Sequence, residues 1–118
     1  MLLVEDEAPV RRALHQALTQ RGYTVRAFSS AEELLALPAS ELSSSALLIS
    51  DVQLGGLDGL SLCRRLTESV PQLRCLMISG YVPDDEMQAE LSGGRLPFLS
   101  KPFSPEGLAR RVREVLDQ

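Results

Sequence analysis

The chain has 118 residues, 44% of them hydrophobic, and its 12 basic and 16 acidic side chains leave a net charge of −4. That suits one domain around one core and is too apolar for a disordered chain. The negative balance argues against nucleic-acid binding by the bulk surface, no apolar run is long enough to span a bilayer, and no secretory signal is legible, so a cytoplasmic location is expected.

Leu2-Leu3-Val4 reads as a first strand, ending in Glu5-Asp6-Glu7. A strand starting at residue 2 has no lead-in: either the protein is compact from its first residue or this is a piece of something longer, and the second is expected. The acidic triplet opens a helix with Pro9 at an early position. Val10, Ala13, Leu14, Ala17 and Leu18 form its apolar stripe, Arg11, Arg12, His15 and Gln16 its polar face, and Gly22 its C-cap. His15, among arginines on that polar face, reads as a solvated side chain.

Tyr23 to Phe28 alternates weakly and reads as a second, edge strand. Ser30-Ala31-Glu32-Glu33 is a capping box opening a short helix that Pro38 stops. Residues 39 to 45, with serines at 40, 43, 44 and 45, read as a polar surface connection. Ala46 to Ser50 is the third strand, and Asp51 sits where it leaves the sheet. After the loop Val52-Gln53-Leu54-Gly55-Gly56-Leu57-Asp58, Gly59 leads into a third helix, with Leu60, Cys63, Leu66, Thr67 and Val70 inward and Pro71 at its end.

The fourth strand spans about Arg74 to Ile78 and runs into Ser79-Gly80. A weakly patterned fourth helix starts near Pro83 or Asp84, with Met87 and Leu91 apolar, and closes at Gly93-Gly94. Leu96 to Ser100 is the fifth strand, ending in Lys101-Pro102. Ser104-Pro105 is an N-cap and N1 pair for a last helix with Leu108, Val112, Val115 and Leu116 inward. Cys63 and Cys75 lack CxxC spacing and make no disulfide framework; two reduced, packed thiols are expected.

Strand and helix alternate five times. This predicts an α/β fold of the doubly wound, flavodoxin-like kind: a five-stranded parallel sheet, order 2-1-3-4-5, with helices on both faces, as one domain over residues 1–118. The crevice then lies between strands one and three, beyond their carboxyl ends. Glu5, Asp6 and Asp51 are expected to face each other there, with Ser79 and Lys101 at the neighbouring strand ends.

Three carboxylates packed together repel by roughly 4 kcal/mol per pair at about 4 Å and an effective dielectric near 20, so such a cluster takes up a proton or binds a cation. Oxygen donors with room for water suit Mg2+, and no His or Cys is near to favour zinc. A carboxylate beside the ion can be the nucleophile of phosphoryl transfer, which makes Asp51 a candidate for an aspartyl phosphate. Lys101 would supply a counter-charge, Ser79 a hydroxyl donor, and the backbone after Asp51 further donors. Tyr81, two residues after Ser79, would shield the acyl phosphate from water. Each residue alone has a plain structural reading; what is specific is the coincidence of four strand endings in this order.

Taken together, Leu3-Val4-Glu5-Asp6-Glu7, Asp51 with Gly56 and Asp58-Gly59 behind it, Ser79-Gly80 and Lys101-Pro102-Phe103 resemble the receiver domain of two-component response regulators over essentially the whole chain. The resemblance implies that Asp51 takes its phosphoryl group from a histidine kinase or phosphotransfer protein, with Mg2+ as cofactor. It implies metal ligation by Glu5, Asp6, Asp51 and the Gln53 backbone carbonyl, with Asp6 a more direct ligand than Glu5. It makes Ser79 and Phe98 the switch pair and Lys101-Pro102 a cis peptide bond. The output would be a changed surface on the fourth helix, fifth strand and last helix. A homodimer, or an attached kinase or output domain, would be the further partner. The pattern departs at Gly55, where the family often has Pro; at Ser79, more often Thr; and at Phe98, where Tyr would add a hydroxyl.

On this reading the chain is a signalling module that catalyses only its own phosphorylation and dephosphorylation. An aspartyl-phosphate phosphatase would carry a second Asp two residues after the nucleophile, where this chain has Gln53. A phosphorylation-independent scaffold would not need Glu5, Asp6, Asp51, Ser79 and Lys101 together. The phosphate-binding glycine motifs of nucleotide-binding folds are absent, as is a DNA-binding helix-turn-helix.

Overall fold

The computed structural model describes residues 1–52, 59–79, 97–100 and 103–117. Five parallel strands, β1 Leu2–Val4, β2 Arg26–Phe28, β3 Leu47–Asp51, β4 Arg74–Ser79 and β5 Phe98–Ser100, form one sheet in the order β2-β1-β3-β4-β5. The helices are α1 Ala8–Thr19, α2 Ala31–Leu35, α3 Ala39–Ser43, α4 Gly59–Ser69 and α5 Pro105–Leu116.

Strand periodicity divides the core into two layers. Leu2, Val4, Leu48, Cys75 and Met77 point to one face, against Leu34, Leu42, Leu62 and Leu66 of α2, α3 and α4. Leu3, Leu47, Ile49, Leu76 and Ile78 point to the other, against Leu14 and Leu18 of α1 and Leu108, Val112 and Val115 of α5. Every residue of β3 is buried, as in a central strand covered on both faces. Cys63 and Cys75 are free thiols in the first layer. A hydrogen bond between them, together with burial, pushes the Cys75 thiol pKa up.

Caps mark the helix starts. The Ser104 hydroxyl accepts from the Gly107 N–H at 2.9 Å, and that of Ser30 from the Glu33 N–H at 3.2 Å. The Glu33 carboxylate completes its box one residue early: it accepts from the Ser29 N–H and hydroxyl, which lowers its pKa. Gly22 is not the C-cap of α1. That position is Gln20, and Gly22 lies two residues on with φ +90°, a conformation that side chains disfavour.

Three other expectations are corrected. Strand two is half as long as predicted, because Tyr23 and Val25 pack on the α1–α5 layer while ladder pairing starts at Arg26, opposite Leu2. The serine-rich stretch carries a helical turn, α3, with Pro38 as its N-cap residue and Leu42 buried. The Ser43 and Ser44 hydroxyls donate to carbonyls three residues back, which suits a helical turn. Asp51 is the last residue of β3, not the first beyond it. The predicted fourth helix lies outside the described residues.

Candidate functional site

Register builds the site. Val4 pairs with Ser50 and Asp51 with Ile78, so the residue after β1, Glu5, comes level with Asp51 on the neighbouring strand. Both carboxylate residues are buried, Glu5 at 1% exposure and Asp51 at 8%. Two buried acids at one sheet edge are unusual, because acidic side chains are seldom fully buried unless paired.

Glu5 is held from three sides. Its N–H donates to the Phe28 carbonyl at 3.1 Å, its carbonyl accepts from Arg11 Nη1 at 2.8 Å, and its Oε1 accepts from the Glu7 N–H at 3.2 Å. The chain turns sharply here between β1 and α1, and Asp6 is left exposed on the turn. Arg11 reaches back from the first turns of α1 and is half-buried. Its helical spacing put it on the polar face, and the spacing could not show that this face overhangs the strand end.

Asp51 is fixed through its backbone. The Val52 N–H donates to the Ile78 carbonyl at 2.8 Å, tying the end of β3 to β4. The Gly59 N–H donates to the Val52 carbonyl at 3.0 Å, so α4 begins against the end of β3. Ser50, fully buried, donates its hydroxyl to the Asp51 carbonyl at 3.0 Å. Neither Ser50 nor Arg11 was singled out from the sequence; a serine inside an apolar strand was the available signal.

Ser79 is the last residue of β4, one beyond the partner of Asp51, and pairs with Ser100. Phe98 pairs with Met77 on the edge strand and is half-buried against the α2–α4 layer. Gln53, Tyr81, Lys101 and Pro102 lie outside the described residues. Strand order and register thus bring Glu5, Asp51 and the Ser79 backbone to one edge of the sheet.

Among the described residues, no group of three or more His, Cys, Asp or Glu side chains is close enough to hold a metal ion. Asp6 is exposed on the turn, and one Glu5 oxygen accepts from the Glu7 N–H. The donor chemistry still fits Mg2+, which needs only one or two carboxylates and keeps much of its water. A buried carboxylate in such a place can also act as a nucleophile once its charge is compensated.

The family model for the response regulator receiver domain matches residues 1–113. The sensor kinase CckA of Brucella abortus is 36% identical over 118 residues, all of this chain and 12% of that protein. The response regulator MprA of Mycobacterium ulcerans is 34% identical over 116 residues, 98% of this chain and 49% of that protein. The chain thus spans half or less of the length of these relatives. Among solved structures, a receiver domain protein from Clostridium thermocellum superposes with a TM-score of 0.84 at 21% identity, over 98% of this chain and 92% of that one. NtrX of Brucella abortus, in complex with ATP, gives 0.84 at 29% identity, over 98% of this chain and 26% of that one.

Proposed function

The chain belongs to the response regulator receiver domain family, and we propose that Asp51 accepts a phosphoryl group from the phosphohistidine of a histidine kinase or phosphotransfer protein. The observation that carries this reading is Asp51 itself: a carboxylate 8% exposed at the end of a central strand, level with buried Glu5.

In the proposed transfer an Asp51 carboxylate oxygen bonds to phosphorus, the P–N bond of the phosphohistidine breaks, and its electron pair returns to the imidazole. The product is an acyl phosphate carrying roughly two negative charges. Glu5, Asp6, Asp51 and the Gln53 carbonyl would hold Mg2+, with Asp6 the direct ligand in preference to Glu5. Mg2+ would neutralise charge on the phosphoryl oxygens. Lys101 would pair with the phosphoryl group and Ser79 donate to it, while Tyr81 would limit access of water. Arg11 and the Glu7 N–H keep the acidic turn in place before any ligand arrives, so little ordering is left to the transfer step.

Receivers of this family are signalling modules rather than metabolic enzymes, and the chemistry proposed here is confined to the domain's own phosphorylation and dephosphorylation. The readout would be a repacked surface around Phe98. Ser79 moves toward the new oxygens, and the half-buried ring turns inward into the space vacated. A second copy, or an attached kinase or output domain, would read that surface; the longer relatives include a sensor kinase and a response regulator. No helix among the described residues is long and apolar enough to cross a membrane, and a cytoplasmic location belongs to the same proposal.

The test is intact mass after incubation with acetyl phosphate and Mg2+. One phosphoryl group should be gained by the parent, and none by Asp51→Asn or without the metal. A gain that persists in Asp51→Asn sinks the assignment.

A further inference from the structure

We infer that Gly59, the first residue of α4, is a positioning residue for Asp51: its missing side chain is what lets the Asp51 peptide sit where phosphoryl transfer needs it. The inference rests on the reading of Asp51 as acceptor and adds a residue outside the acidic turn, the hydroxyl and the lysine.

The geometry is specific. A Cβ on Gly59 would collide with the Asp51 carbonyl oxygen and lie 3.0 Å from the Asp51 carbonyl carbon and 2.9 Å from Ser50 Oγ. Two of these three atoms are backbone and cannot rotate away. The third belongs to a fully buried side chain that donates to the same carbonyl at 3.0 Å. Gly59 is itself buried, and its N–H holds the Val52 carbonyl at 3.0 Å. Ser50 holds the Asp51 carbonyl, Gly59 abuts that same carbonyl and holds the next peptide through the Val52 carbonyl, and the Val52 N–H anchors the Asp51–Val52 peptide to Ile78 at 2.8 Å.

Any side chain at 59 must push the start of α4 outward or turn that peptide. Turning it swings the Asp51 carboxylate, and a displacement of about 1 Å at reacting atoms costs on the order of 100-fold in rate. The helix dihedrals themselves accept alanine better than glycine. The requirement for glycine here comes from the approach of α4 to Asp51.

The experiment compares Gly59→Ala with Leu66→Ala, which removes core packing from the same helix without adding an atom at Asp51. In the unphosphorylated proteins the Val52 amide is followed by NMR; then the maximal rate of phosphorylation by acetyl phosphate with Mg2+ is measured. Gly59→Ala should move the Val52 amide resonance and lower the maximal rate about 10- to 100-fold. Leu66→Ala should leave the amide in place and keep the rate within about three-fold, well short of the loss that misplaced reacting groups cause. A folded Gly59→Ala with the parental rate, an unmoved Val52 amide, or an equal loss in Leu66→Ala overturns the inference. Should Gly59→Ala fail to fold, Ser50→Ala loosens the same peptide without a clash. It should shift the Val52 amide and slow phosphorylation by a few-fold, and no change in either counts against the inference. If the parent itself takes no phosphate, the acceptor reading falls, while the Val52 amide still decides whether Gly59 seats Asp51.

Discussion

Replacing Asp51 with Asn should make the metal-free protein more stable. For carboxylates on level residues of adjacent strands, which lie about 4.8 Å apart, a working separation is about 5 Å. At an effective dielectric near 20, two like charges at that distance repel by about 3 kcal/mol. Asp51 keeps some contact with solvent at 8% exposure, and Asn is a poorer hydrogen-bond acceptor than a carboxylate. Together these reduce the expected gain to about 1–2 kcal/mol. For a chain of this length the unfolding entropy is roughly 0.25 kcal/mol per degree, so Tm should rise by about 4–8 °C. Magnesium closes this gap, because an ion that binds only the folded parent at ten times its Kd adds about 1.4 kcal/mol to it. The assay is thermal unfolding of parent and Asp51→Asn, each with EDTA and with magnesium. A variant melting at or below the parent in EDTA, or an equal response of both proteins to magnesium, refutes the idea that charge is concentrated at this edge.

Alkaline pH should destabilise the protein through Cys75. Its folded pKa is raised by Cys63 and by burial, so its contribution to stability is complete below the unfolded thiol value of about 8.5 and is lost as pH rises above it. Urea midpoints from pH 7 to 10 should therefore fall more in the parent than in Cys75→Ala, a difference that equal slopes would deny. Ser104→Ala should cost α5 about 1 kcal/mol by removing its cap, read from urea denaturation; a loss below a few tenths would mean the cap is replaced by solvent. Beryllofluoride, a mimic of the phosphoryl group on Asp51, should alter amide exchange between about residues 79 and 105, centred on Phe98, and less so in Ser79→Ala. Changes confined to residues 52 to 59 would mean the signal leaves by α4 instead.

The sheet was legible because apolar runs and their endings carry it. Leu2–Val4 is bounded by an acidic triplet, and β3 and β4 are too uniformly apolar for anything but central strands. What misled was burial without pairing. Tyr23 and Val25 share the composition of a strand but pack under α1 outside the ladder. Serines 43 to 45 have the composition of a loop, yet each donates back to a carbonyl and closes a helical turn around buried Leu42. In the site, Asp51 and Glu5 stood out because carboxylates at the ends of apolar strands are chemically conspicuous. Arg11 and Ser50 did not, and Gly59 stood out only through the resemblance, because their roles depend on distances between elements: an arginine overhanging a strand end, a hydroxyl on a neighbouring carbonyl, a helix start against a peptide. Spacing along the chain does not encode those distances.

The most direct measurement is to trap the acyl phosphate. The protein is phosphorylated with acetyl phosphate and magnesium, reduced with borohydride, which converts an aspartyl phosphate to homoserine, and sequenced by tandem mass spectrometry. The account predicts homoserine at position 51 and nowhere else. Modification at Glu5, Asp6 or another acid in place of Asp51, or phosphate retained on His15, would contradict it.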